Sequence, residues 1–277
     1  MDLQYGTLEI TTKIGCPVNC SYCPQDKLVK NYTGERMMTM ETFNTCLDKV
    51  PLSVNNQGNL VPRLEFAGFS EPFANPNCAD MIVSAYDKGF HNITCFTTFR
   101  GMTMADYEKI KHINFAFFSI HLPDKEGLIH VTVNDEYLAL LRKCLETFDV
   151  SFFKYGEVRD EVWAVLQEYD LNKAFWNIHI HSRAGNVDGV EPRPRMSGHI
   201  RCNASEGMAL NHNILLPNGD VSLCCMDFGV RHIVGNLLTD EYADLFRSEE
   251  HNKVVAGMYV DTMDILCRQC DYAVQNE

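Results

Sequence analysis

Nowhere in the 277 residues does an apolar run approach the length of about eighteen that a membrane-spanning helix needs, so no bilayer-crossing helix is expected. The opening stretch MDLQYGTLEIT has neither a basic cluster nor the apolar centre of a secretory leader, and the expected location is cytoplasmic. Positive charge is in short supply: 24 Lys and Arg face 37 Asp and Glu, for a net charge of −13. A chain so acidic is poorly suited to tracking a phosphate backbone, which disfavours a general nucleic-acid binder. The local exception is EPRPRMSGHIRC, with Arg193, Arg195 and Arg201; clustered charges are usually surface, and the stretch reads as a solvated loop. There is no internal repeat and no low-complexity tract. With 45% hydrophobic and 22% charged residues the composition is that of a globular protein with a sizeable core.

Cysteine, by contrast, is abundant. Twelve thiols in a reducing compartment point to metal or catalysis rather than disulfides. Seven fall into two ligand-like sets, and Cys46, Cys78, Cys95, Cys144 and Cys225 are scattered singly and read as buried thiols. The first set is KIGCPVNCSYCPQ, in which Cys16, Cys20 and Cys23 are spaced C-x3-C-x2-C. Three is an awkward number, because a structural zinc takes four protein ligands and disulfides need pairs. Three thiolates can, however, hold three irons of a 4Fe–4S cube and leave the fourth iron open. Thiolate suits zinc as well, so ligand type alone does not decide.

Runs rich in Ile, Phe, Val and Thr predict strands at 7–13, 63–68, 92–98, 115–121, 150–155 and 177–182. Apolar residues recur at helical spacing between them, as at Leu138, Leu141, Leu145 and Phe148, and at Val162, Val165, Leu166 and Tyr169. Repeated strand–helix units imply parallel strands with right-handed crossovers. Six of them curl toward an incomplete barrel whose chemistry lies at the carboxyl ends of the strands. The cysteine triad follows the first strand and so falls in that region. His179 and His181 alternate in the sixth predicted strand and would share a face near the barrel mouth. Beyond a Gly/Pro/Arg-rich stretch the pattern shortens to a hairpin, HNILLPNGDVSLCC, with a two-residue Asn218-Gly219 turn, then helical runs across 239–257 and a terminal CRQC.

The triad, with Tyr22 before its last cysteine, resembles the signature of the radical S-adenosylmethionine (SAM) superfamily. The resemblance implies an α/β fold with a partial (β/α)6 barrel over 1–183, a linker at 184–197 and a small α+β domain over 198–277. It implies that SAM chelates the open iron of the cluster held by Cys16, Cys20 and Cys23. The segment EFAGFSEPFANP is similar to the superfamily's glycine-rich SAM loop, which would place Gly68, Ser70 and Glu71 against SAM, with Glu71 accepting from its ammonium group. By the same resemblance Ser119 would contact the ribose and Tyr22 would lie near the adenine. Arg183, in HSRAGN, would reach SAM or an anionic group of the substrate.

The second set, Cys202, Cys224, Cys267 and Cys270, resembles the twitch form of the SPASM extension of this superfamily, with Gly219-x4-Cys224 selecting Cys224 over Cys225. Four ligands would saturate an auxiliary 4Fe–4S cluster, making two clusters in all; a four-cysteine zinc ribbon is the competing reading. The resemblance implies reductive cleavage of SAM to a 5′-deoxyadenosyl radical, hydrogen abstraction from a C–H bond and oxidation of a small polar metabolite. It also implies a reducing partner such as a flavodoxin or ferredoxin. Redox-neutral epimerisation or isomerisation and peptide modification are the enzymatic alternatives. An iron–sulfur electron carrier is the non-enzymatic one, but a carrier needs no barrel of 180 residues and no open iron.

Overall fold

The computed structural model describes residues 5–55, 57–169, 175–177, 179–205 and 208–276. Six parallel strands form the barrel wall in chain order: Thr7–Ile10 (β1), Arg63–Phe66 (β2), Ile93–Thr97 (β3), Phe117–His121 (β4), Val150–Lys154 (β5) and Phe175–Asn177 (β6). Helices Gln25–Asn31 (α1), Met40–Leu47 (α2), Cys78–Asp87 (α3), Met104–Ile110 (α4), Asp135–Thr147 (α5) and Asp160–Gln167 (α6) fill the connections. Local chemistry sets several of their starts. Thr39 caps α2 through its hydroxyl, Thr103 and Asp106 form a reciprocal capping box on α4, and Asn134 caps α5. The sixth strand lies earlier than the 177–182 expected. It ends at Asn177; Ile178 is outside the described residues, and 179–182 is not strand.

The two faces of this wall differ in kind. One register row carries Leu8, Leu64 and Ile93, and the next carries Ile10, Phe66, Cys95, Phe118 and Val150. These side chains are buried beneath the helices, against Met81 and Ile82 of α3, Leu141 and Cys144 of α5, and Val165 of α6. Each large apolar side chain removed from water here contributes about 1.5–3 kcal/mol. The opposite, inner face carries Glu9, Glu65 and Thr94 in one row, Phe96, Ser119 and Ser151 in the next, and His121, Phe153 and Trp176 in the third. Polar groups and rings of this sort do not fill a barrel as branched aliphatics do, and they leave its interior available to a ligand. Cys46, Cys78, Cys95 and Cys144 are wholly buried, as ordinary core thiols.

The C-terminal part continues the same sheet. It contains Ile200–Cys202 (β7), His212–Leu215 (β8), Asp220–Ser222 (β9), Ile233–Asn236 (β10) and Ala273–Gln275 (β11), with helices Tyr242–Leu245 (α7) and Glu249–Tyr259 (α8). β8 pairs parallel to β1, and β9 and β10 follow antiparallel, giving the order β10-β9-β8-β1-β2-β3-β4-β5-β6. The hairpin loop is one residue longer than the expected Asn-Gly turn. Leu216 N–H donates to the Asp220 carbonyl at 2.8 Å, so Pro217, Asn218 and Gly219 form the loop, with Gly219 at φ +86°. β7 and β11 pair in a separate small sheet.

The arginine-bearing stretch is exposed but tethered: Arg193 donates to the Ala273 carbonyl, and Arg195 to the carbonyls of Asp261 and Met263. Among the described residues no helix is long and apolar enough to cross a membrane.

Candidate active site and auxiliary cysteine centre

Cys16, Cys20 and Cys23 lie in the loop that leaves β1, half-buried around one pocket. Gln25 braces this loop: its Oε1 accepts from Cys16 N–H at 3.2 Å and its Nε2 donates to the Phe69 carbonyl. The Glu71 N–H donates to the Cys16 sulfur at 3.4 Å. Burial raises all three thiol pKa values, that of Cys20 to about 12, so the thiols need a positive partner to ionise. The spacing of the sulfurs suits a cluster better than a single ion. Thiolates around one zinc, at about 2.3 Å from the metal, sit about 3.8 Å apart. Among the described residues only Glu9, His212 and Cys225 bring three donor atoms within 4.8 Å of one another; neither cysteine set does. Three cysteines, with no fourth lining the pocket, fit a cube with one open iron.

The opposite wall is the loop after β2. Gly68 holds φ +59°, and a Cβ there would meet Thr11 Oγ1 at 2.2 Å, so only glycine fits. Ser70 lines the pocket, its hydroxyl donating to the Lys13 carbonyl at 2.6 Å. Glu71 differs from expectation. Its Oε1 accepts from Thr97 Oγ1 at 2.7 Å and Phe73 N–H at 3.3 Å, and its Oε2 accepts from both the N–H and the hydroxyl of Thr98 at 2.7 Å. All its acceptor sites are taken, leaving none for the ammonium of SAM. Glu71 instead ties this loop to the carboxyl end of β3. Glu71→Gln places an amide N–H₂ against donors, so it is expected to cost about 1–3 kcal/mol of stability, read as a lower urea midpoint. Weaker SAM binding at unchanged stability would reinstate the direct contact.

The carboxyl ends of the other strands complete the pocket with Thr97, Thr98, His121 and Tyr155. Tyr22 packs against Tyr155 with ring centroids 4.0 Å apart and the planes tilted by 34°. Burial, helped by the nearby charge of Arg183, lowers the His121 pKa to about 4 and keeps its ring neutral. Ser119 is fully buried, bonded to the Ser151 hydroxyl at 3.2 Å, and does not line the pocket; this speaks against the expected ribose contact. Gln25, His121 and Tyr155 were not singled out in the sequence. Their signal is positional, each lying beside the triad or at a strand's carboxyl end.

Arg183 does line the pocket. It sits at φ +49°, followed by Ala184 at φ +55°, a costly pair of left-handed residues. Asp271 holds this turn by accepting from the Ser182 hydroxyl at 3.0 Å and from Ala184 N–H at 3.4 Å. The guanidinium lies 5.1 Å from the centroid of Phe228, which packs on Phe69, and donates to the Cys225 carbonyl at 3.4 Å. It therefore bridges the triad pocket and the C-terminal hairpin. Neither of the two histidines expected near the barrel mouth lines the triad pocket: His179 is exposed and His181 lies against Tyr272.

Cys202, Cys224, Cys267 and Cys270 all line a second cavity, together with Cys225. Burial raises both thiols; after it Cys224 is acted on by its neighbour Cys225 and by Cys267 and Cys270, whereas the Cys225 sulfur lies within 4.8 Å of Glu9 and His212 donor atoms. Cys224 thus turns toward the quartet and Cys225 toward the barrel. The inner face beside Cys225 is strongly polar. Burial, with Glu9 alongside, raises the Glu65 carboxyl to about 7. At His212 burial pulls the ring down, but the hydrogen bond and charge of Glu9, with the charge of Glu65 and the Ala204 carbonyl, together raise it to about 8.

Residues 206–271 match the SPASM family, described as an iron-sulfur cluster-binding domain. No curated protein matches the chain by sequence. Among solved structures, BtrN in complex with AdoMet and 2-DOIA superposes with a TM-score of 0.65 at 14% identity, over 98% of this chain and 94% of that one. AdoMet-bound anSMEcpe gives 0.59 at 13%, over 97% and 84%. SuiB of Streptococcus suis bound to its precursor peptide SuiA gives 0.53 at 13%, over 95% and 69%. The chain therefore shares the partial-barrel fold of these AdoMet-bound structures, and its residues 206–271 resemble the SPASM iron–sulfur cluster-binding domain.

Proposed function

We propose that this protein is a radical SAM oxidoreductase acting on a small polar metabolite, with a SAM-binding 4Fe–4S cluster on Cys16, Cys20 and Cys23 and an auxiliary one on Cys202, Cys224, Cys267 and Cys270. One observation carries the reading: three cysteines surround an open pocket at the carboxyl ends of a partial barrel, while four others close on a separate cavity. Bound there, cluster and SAM supply a 5′-deoxyadenosyl radical able to take hydrogen from an unactivated C–H bond. The chain's own residues arrange and protect that chemistry. Gln25 and Glu71 fix the two loops facing the pocket, and Tyr22 and Tyr155 close one side as a tilted ring pair in contact. Phe96, His121 and Phe153 form a contiguous ring surface on the inner wall that excludes water. Arg183 supplies a cation between the two cysteine centres, where an anionic substrate group or a developing negative charge can be met. The saturated quartet suits acceptance of an electron rather than binding of substrate.

The test is anaerobic incubation with SAM and reduced flavodoxin or dithionite in deuterated water, with candidate metabolites screened by mass. Oxidation is expected to consume one SAM per product, to lose hydrogen from the substrate and to carry substrate hydrogen into 5′-deoxyadenosine. A product one deuterium heavier than the substrate, with no net loss of hydrogen, means epimerisation and defeats the oxidative reading.

A further inference from the structure

Between the two cysteine centres, three side chains from separate parts of the chain converge. Glu9 of β1, His212 of β8 and Cys225 after β9 bring a carboxylate oxygen, an imidazole nitrogen and a sulfur within 4.8 Å of one another. We propose that Glu9, His212 and Cys225 form a third metal site, for a single divalent d-block ion such as zinc, on the inner face of the barrel.

Four features carry it. The donor set is the mixed O, N and S type that suits such an ion and not calcium or magnesium. His212 is oriented as a ligand: its Nδ1 faces the Ala204 carbonyl at 3.3 Å, which fixes the ring and aims Nε2 at Glu9 Oε1. Cys225 is the surplus thiol of its cavity, since Cys202, Cys224, Cys267 and Cys270 suffice for a closed cluster. Finally, Glu9 lies beside Glu65 in the sheet register, their side chains only 6% and 10% exposed. The cations near this buried pair are His212, the half-exposed Arg63, which reaches Glu65 at 3.2 Å, and Arg183, whose charge also bears on Glu9.

Glu9 and His212 both belong to the inner face, and three protein ligands leave a fourth position open, as in sites where a metal holds substrate or water rather than structure. The ion binds in exchange for the protons of the Cys225 thiol and of His212 Nε2 when that nitrogen carries one. It changes no oxidation state, so no further reactant is required. A bare ion pair between protonated His212 and Glu9 is the competing account of the same geometry.

The test uses the anaerobically reconstituted holoenzyme, equilibrated with zinc chloride and desalted, with zinc and iron counted together. About one zinc per chain is expected beyond the full iron complement, with an X-ray absorption shell of one sulfur at about 2.3 Å and two or three nitrogen or oxygen atoms at about 2.0–2.2 Å. Glu9→Gln, His212→Ala and Cys225→Ala should each weaken zinc binding at least about tenfold while iron content holds. No zinc above background leaves only the ion pair and overturns the proposal. A four-sulfur shell places the zinc in the Cys202 set and overturns it equally, as does zinc binding indifferent to the three substitutions. The absorption shell is read on the unsubstituted enzyme, so the test survives a variant that fails to fold, and SAM cleavage plays no part in it.

Discussion

Replacing Cys16, Cys20 and Cys23 together by alanine is expected to abolish 5′-deoxyadenosine formation and to leave about half of the bound iron, one cube of two. The loss should be complete rather than graded. Gln25, Glu71 and Phe69 hold the triad loop through hydrogen bonds that do not involve the ligand role of the sulfurs, except the 3.4 Å contact from Glu71 N–H to Cys16. The pocket walls should therefore persist while the metal that anchors SAM is gone. The quartet lines a separate cavity, fed by β7, the β9 hairpin and the Leu266–Gln269 turn, and shares no cysteine with the triad. Its iron should stay. Anaerobic iron and sulfide analysis, with chromatographic assay of 5′-deoxyadenosine, reads both quantities. Residual cleavage in the triple variant would sink the assignment.

Much of this was legible before any coordinates. Five of the six expected strands occupy their expected places, each trimmed at one or both ends, because β-branched and aromatic runs bounded by helical patterns are local signals. The sixth misled because Asn177, His179 and His181 mimic a period of two, while the chain there is already leaving the sheet for the left-handed turn at Arg183 and Ala184. The pairing of β8 with β1 joins residues some two hundred positions apart, and no local pattern announces it. For that reason the Glu9–His212 contact was invisible, although both residues could be named.

At the site, residue types were easier to read than their directions. The triad was picked out by its spacing and Gly68 by the resemblance of its loop, and all four residues line one pocket. Glu71 was assigned to the SAM ammonium by the resemblance of its loop to the superfamily's SAM-binding segment. Its partners turned out to be Thr97 and Thr98, at the end of another strand, which sequence proximity cannot reveal. Cys225 beside Cys224 is the same problem on a smaller scale: adjacent residues point to opposite sides, and only the hairpin's placement against β1 says which thiol meets which neighbours.

Arg268 is the clearest case of a residue whose role the sequence conceals, and its replacement should have the second large effect. Between Cys267 and Cys270 a charged residue reads as surface, yet this side chain is wholly buried. Its guanidinium donates to the carbonyls of Met196 at 3.1 Å, Gly198 at 2.9 Å and Gly257 at 2.8 Å, and lies 3.2 Å from Asp261. One planar group thus fastens the stretch before β7, the C-terminal part of α8 and the turn carrying two quartet cysteines. Arg268→Met keeps much of the volume but orphans the buried Gly257 carbonyl, at about 1–3 kcal/mol, and the part-buried carbonyls of Met196 and Gly198 at less, so a loss of about 3 kcal/mol is expected. Arg268→Lys offers one ammonium where a fork is needed and should fall between. Because the cost is local to the quartet, the methionine variant should lose the auxiliary iron and product formation while retaining the triad iron and some SAM cleavage. It is the mirror image of the triad variant. Iron content at the full complement, with an unchanged unfolding midpoint, would show that Arg268 does not hold the auxiliary centre together.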